Sequence, residues 1–148
     1  MNRIGRKVFV VAALLVALAI GVSAQIYHYY SPGSVWTVTM VRTKPGMDQA
    51  YHAYLDGQFK ANEEAMIKAG YEKSYKILET MDDDSGSWNL LIMREYKDLA
   101  SLEANAEKAD AVAQQVVGDD QKQMQGYEDR SKIREILGTK FARELVLK

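Results

Sequence analysis

Two histidines and no cysteine bound the chemistry open to this chain of 148 residues. His28 has no second ligand at helical or hairpin spacing, so it forms no metal site by pattern. His52 stands alone at the edge of an apolar helical stripe, beside Phe59. A general base, or a hydrogen-bonding clamp, would be drawn from His52, Arg94 and Tyr75, the polar groups that helix or strand phase places best. Each of the three has an ordinary structural reading as well. No Ser-His-Asp set, phosphate loop, dinucleotide fingerprint or metal-binding helix spacing is present. The run Asp82-Asp83-Asp84-Ser85-Gly86 lacks the alternating ligands and later bidentate Glu of a calcium loop, and it reads as a solvated hairpin loop. No metal and no cofactor is expected.

The elements that must position these residues begin with Val35 to Arg42, β-branched and aromatic with period two. Trp36, Val38 and Met40 fall on one face, and Thr37, Thr39 and Val41 on the other. Lys44-Pro45-Gly46 turns the chain, and Asp48 offers an acceptor and a negative charge at a helix N-terminus. From Met47 to Ala69, at about 100° per residue, Tyr51, Tyr54, Leu55, Phe59, Ala65, Met66 and Ala69 share one side. Gln58 and Asn62 intrude into that stripe, where the usual fate of an amide is a bond to nearby backbone. Gly57 invites a local kink, and Gly70 ends the helix.

Tyr71 to Met81 alternates with a polar face, as an edge strand does. Trp88 to Tyr96 is apolar on both faces, as a central strand is. Asp98 then caps a second helix with the stripe Leu99, Leu102, Ala106, Ala109, Ala113 and Val117, whose alanines permit close approach to a sheet. Asp119 to Ser131 reads as a surface helix or an ordered loop. Lys132 to Lys148 repeats Arg-Glu-aliphatic-aliphatic around Gly138-Thr139 and reads as a terminal hairpin, with Glu135 facing Arg143 and Arg134 facing Glu144 across a Gly138–Lys140 loop.

The first residues have another purpose. A basic start to Lys7, an apolar run from Val8 to Val22 and small residues at Val22-Ser23-Ala24 read residues 1–24 as a secretory signal peptide cut before Gln25. That run is shorter than the ~20 residues that span hydrocarbon, so no stable membrane anchor is expected after cleavage. Residues 25–34 read as a tether ending in a turn at the breakers Ser31, Pro32 and Gly33, and residues 35–148 as one domain. Without the leader, sixteen basic residues face twenty acidic ones, a balance that argues against a nucleic-acid partner. A secreted or periplasmic protein follows, stabilised by packing alone.

The order strand, helix, strand, strand, helix, strand is the ferredoxin-like βαββαβ arrangement, an α+β fold with an antiparallel sheet. The strand running into Lys44-Pro45-Gly46, the strand ending Arg94-Glu95-Tyr96 and the terminal Arg-Glu-Leu segment make the chain from Val35 to Lys148 resemble the dimeric α+β barrel superfamily, particularly its NIPSNAP-like and antibiotic-biosynthesis-monooxygenase-like domains. The resemblance implies a homodimer whose two sheets enclose an apolar cavity. Trp36, Thr39 and Trp88 are the ligand-binding candidates for a small apolar ligand there. It also implies three functions: binding without catalysis, cofactor-free oxygenation of a small aromatic or quinol-type substrate, or haem chemistry. Haem ranks last, because Asp98 to Val117 holds no His, Cys, Met or Tyr to ligate iron.

Overall fold

The alternating residues from Val35 to Val41 lie in β1 (Tyr30–Thr43) of the computed structural model, which describes residues 28–81 and 86–148. The leader and most of the acidic loop fall outside the described residues. Pro45 and Gly46 close a turn in which the Met47 N–H donates to the Lys44 carbonyl, and Gly46 takes a left-handed φ of 74° that favours glycine. Asp48 does not cap the helix that follows; it opens its first turn and accepts a hydrogen bond from the Thr43 hydroxyl.

That first helix is continuous but not uniform. It comprises α1 (Asp48–Tyr54), a π-helical turn (Leu55–Phe59) and α2 (Lys60–Lys68). Gly57 lies in the π turn, where a kink is expected. The residues that reach the core are Tyr51, Leu55, Phe59, Glu63 and Met66. An extra residue in the π turn rotates the second half of the helix, so Gln58 and Asn62 leave the stripe and Glu63 enters it. Gly70, at φ 77°, ends the helix with its N–H on the Ile67 carbonyl and the Tyr71 N–H on that of Met66.

β2 (Ser74–Glu79) and β3 (Leu90–Tyr96) complete the first three strands, and the sheet order is β2-β3-β1-β4. β3 is therefore central and β2 is an edge. Both of β3's neighbours run antiparallel to it, with Val35 opposite Tyr96, Thr37 and Tyr75 opposite Arg94, and Glu79 opposite Leu90. On the side facing the helices, Val41, Leu90 and Ile92 pack with Tyr51, Leu55 and Phe59 into the core.

Asp98 caps α3 (Leu99–Ala104) by accepting from the Ser101 N–H at 2.7 Å. α4 (Ala106–Val116) follows, then α5 (Asp120–Ile133), capped by Asp119. The second helix is broken at Asn105, and only its first part, α3, reaches the sheet, at β3. α4 lies against α2, α5 against α1, and no residue of α3, α4 or α5 is fully buried. Among the described residues, no helix is long and apolar enough to cross a membrane.

The terminal hairpin is not formed. α5 passes directly into β4 (Arg134–Leu147), a single strand beside β1. The Lys44 N–H donates to the Ile133 carbonyl at one end and the Thr39 and Thr139 hydroxyls meet at 3.0 Å farther along, so the two strands run in opposite directions. Glu135 pairs with Arg42 of β1 at 3.0 Å rather than with Arg143. β1, fourteen residues long, offers β4 a partner of its own length, whereas a hairpin would leave the edge of β1 unpaired.

Residues 34–144 form one compact unit. Residues 28–33 with Leu145–Lys148 belong to a second, in which the Lys148 N–H donates to the Tyr29 carbonyl and the His28 and Tyr29 rings meet edge-on. Tyr30 to Gly33 are thus strand, where a tether and turn are expected from Pro32 and Gly33.

Candidate functional site

Arg94 shares its side of β3 with Leu90, Ile92 and Tyr96, so strand phase sends a guanidinium into the helix-facing interior. Glu63 comes down from α2 to meet it. Arg94 donates through Nε to Glu63 Oε2 at 2.5 Å and through Nη2 to Oε1 at 3.1 Å, a two-point fork on a residue only 1 % exposed. Glu72, from the segment after Gly70, lies 3.9 Å from the same Nε and accepts from the Tyr96 hydroxyl at 3.1 Å. Burial, with the Glu63 carboxyl beside it, pushes the Glu72 carboxyl up to about 7 against the pull of Arg94. Burial likewise raises Tyr96 to about 12. The group therefore holds a proton that can be taken up or released near neutral pH, next to a fixed cation.

A cleft of about 270 Å³ opens onto this pair. Tyr54, Gln58, Phe59 and Asn62 line it from the first helix, Ala113 and Val117 from α4 and its end, and Gln123, Tyr127 and Arg130 from α5. Gln58 and Asn62 do not bond neighbouring backbone. Gln58 faces Arg130 at 3.5 Å, and Asn62 donates through Nδ2 to Glu63 at 3.3 Å while its Oδ1 is buried without a partner.

Of the residues that sequence points to, Arg94 and Tyr75 come together. They are opposite in register and both touch Phe59, Arg94 over its ring at 5.2 Å and Tyr75 edge-on at 5.7 Å. His52 does not join them. It pairs with Glu79 at 3.2 Å, four residues along β2 from Tyr75 and open to solvent. Trp36, Thr39 and Trp88 share no surface patch defined by strand phase: Trp36 faces away from the helices, with Lys76 over its ring at 5.6 Å, while Thr39 faces the helices and is buried against Thr139. Trp88 is half-buried just before β3. Glu63, Glu72 and Tyr96 are the members that sequence reasoning missed. An Arg in the apolar phase of β3 is the signal that a buried carboxylate must answer it. Among the described residues, no three His, Asp or Glu side chains gather as a metal site would require.

No protein-family model matches the sequence, and no curated protein matches it. Solved structures do. HapK from Hahella chejuensis is similar over 75 % of this chain and 92 % of its own, with a TM-score of 0.50 and 8 % identity. A dimeric ferredoxin-like protein from an uncultured marine organism is similar over 80 % and 98 %, with a TM-score of 0.50 and 15 % identity. The chain has the ferredoxin-like α+β fold. A NIPSNAP family protein from Agrobacterium tumefaciens is similar over 82 % and 93 %, at a TM-score of 0.49 and 10 % identity. At 15 % identity or less these likenesses show the fold alone, which leaves function to be argued from the side chains.

Proposed function

We propose that this chain is the subunit of an exported homodimer that binds a small apolar ligand between its sheets. The observation that carries the reading is the outer face of the sheet. Trp36, Val38 and Met40 on β1 share that face with Leu91 and Met93 on β3, all half-buried, and none belongs to the core beneath the helices. A contiguous apolar face of this kind is rare on a soluble monomer, and a two-fold pairing of like faces is the commonest way to cover one. The similar marine protein is described as dimeric, which supports the same assembly. Export rests on the leader over residues 1–24, and it implies a secreted or periplasmic address. Sedimentation of the mature protein at micromolar concentration tests the reading: twice the monomer mass is expected, and a clean monomer that binds no apolar dye would sink it. Mass analysis of exported protein should find Gln25 at the N-terminus.

The second reading is a cofactor-free oxygenase acting on a small aromatic or quinol-type substrate, and the Glu63, Glu72, Arg94 and Tyr96 group favours it. A carboxyl that exchanges a proton near pH 7 beside a cation suits proton removal from a phenol. Oxygen uptake with hydroquinone, lost in Glu72→Gln, would promote this reading. Uptake absent at every pH between 5 and 9 would remove it.

A further inference from the structure

We infer that the cleft above Arg94 binds a small planar aromatic carboxylate, its carboxylate on the Arg130 guanidinium and its ring against Tyr127, Ala113 and Val117. The cleft opens onto Glu63 and Arg94 of the group that the oxygenase reading uses, but binding is measured without turnover and does not depend on that reading or on the dimer.

Arg130 is held in place before any ligand arrives. One turn earlier on α5 stands Gly126, and a Cβ there would lie 2.9 Å from Arg130 Nη1. Without it, the guanidinium rests over the Tyr54 ring at 4.9 Å, with Gln58 Oε1 at 3.5 Å. A guanidinium stacked by its face keeps N–H groups at its edge free for a carboxylate fork. Among the described residues no carboxylate supplies one. The adjacent Asp129 is taken by Lys132 at 2.7 Å and by Gln125, and Glu63 is taken by Arg94. Among the described residues Arg130 has no ion-pair partner, and its buried Nε bonds nothing.

The rest of the cleft selects the ligand's body. Its volume of about 270 Å³ lies just below the usual range of ligand pockets, room for one ring. Phe59, Ala113, Val117 and Tyr127 give it apolar and aromatic walls, which reward a flat ring and do nothing for a hydrated inorganic anion. Asn62 adds a second point of recognition. Its Nδ2 is committed to Glu63, so its unbonded Oδ1 is an acceptor that a ring hydroxyl can satisfy with a small turn of the amide.

Calorimetric titration of the mature protein with 4-hydroxybenzoate, benzoate, hydroquinone and inorganic phosphate tests the assignment. One 4-hydroxybenzoate per chain is expected, with benzoate and hydroquinone both weaker and phosphate not competing. Arg130→Gln should weaken binding by at least about tenfold and Arg130→Lys by less, since the point charge survives without the fork. Thermal melting of both variants reads folding separately. Sedimentation of the same samples reads the dimer separately, so loss of one proposal leaves the other standing. No saturable binding to folded protein, unchanged affinity in Arg130→Gln, or phosphate competing as well as benzoate would each overturn the site. Equal affinity for benzoate and 4-hydroxybenzoate would overturn the part given to Asn62.

Discussion

Along β3, Leu90, Ile92, Arg94 and Tyr96 point toward the helices, and Leu91, Met93 and Glu95 point away. The inner set is completed by the chain itself. Leu90, Ile92 and Tyr96 are buried, and the charge of Arg94 is met by Glu63 through two bonds. On the outer side, Leu91 and Met93 stay half-buried and only Glu95 is answered, by Lys73 at 2.6 Å and Ser74 at 2.6 Å. The two faces move their carboxyls in opposite directions. Burial raises Glu72 to about 7, whereas bonds from Lys73, Ser34 and Ser74 hold Glu95 down at about 2. A desolvated face must satisfy each charge internally, while a face near solvent can leave its apolar surface to another molecule.

The comparison breaks most sharply at Glu63. Glu63→Leu leaves the Arg94 guanidinium in the interior with Glu72 as its nearest anion, and should cost about 3 to 5 kcal/mol, because an uncompensated buried charge is far worse than no charge. Combining it with Arg94→Met should recover much of the loss. Urea unfolding measures both, and a single variant no less stable than a surface substitution would refute the inner-face account.

The outer face is next. Leu91→Asp should convert the proposed dimer to monomer and cost about 1.5 to 3 kcal/mol of assembly-linked stability for the side chain it removes from burial. Sedimentation across a concentration series reads this directly. A dimer that survives the charge would mean that β3's outer face is not the seam.

How much of this is legible in sequence depends on whether a single period governs the segment. β1 and β2 alternate with period two and β3 is apolar on both faces, so the faces of Trp36 and Val41, the edge place of β2 and the central place of β3 are legible. The first helix changes period at its π turn. A constant 100° step puts Gln58 and Asn62 in the stripe; the inserted residue instead puts Glu63 there and turns the two amides toward the cleft. The end of the chain fails for a different reason. Gly138-Thr139 looks like a turn locally, but the free edge of β1 offers β4 a longer partner than β4 could offer itself. Arg130 was invisible because its role depends on Gly126, Tyr54 and Gln58 meeting from two helices.

Glu72 sharpens the comparison through pH. Its folded value of about 7 lies above the ordinary 4.5, so the folded state holds a proton that the unfolded state has released. The unfolded chain then binds fewer protons, and stability falls as pH rises from about 4.5 to about 7. The loss should be about 1 to 3 kcal/mol, and Glu72→Gln should flatten it. Denaturation midpoints across that window check the sign; a rise instead of a fall attributable to Glu72 would show that Arg94, rather than burial, governs the carboxyl.

The smallest effect belongs to Lys73, whose side chain is 51 % exposed. Its bond depresses Glu95, so Glu95 contributes stability that is present above the ordinary carboxyl value of 4.5 and lost as pH falls toward about 2. Lys73→Ala should move the Glu95 carboxyl upward, though not all the way, because the Ser34 and Ser74 hydroxyls also act on it. NMR titration of the Glu95 carboxyl reads that movement. Solvent screening limits the stability cost at neutral pH to about 1 kcal/mol or less, and added salt should shrink it further. The cost of Glu63→Leu should respond less to salt, since Glu63 is buried. Equal salt sensitivity of the two variants would mean that the two faces do not differ in solvent access.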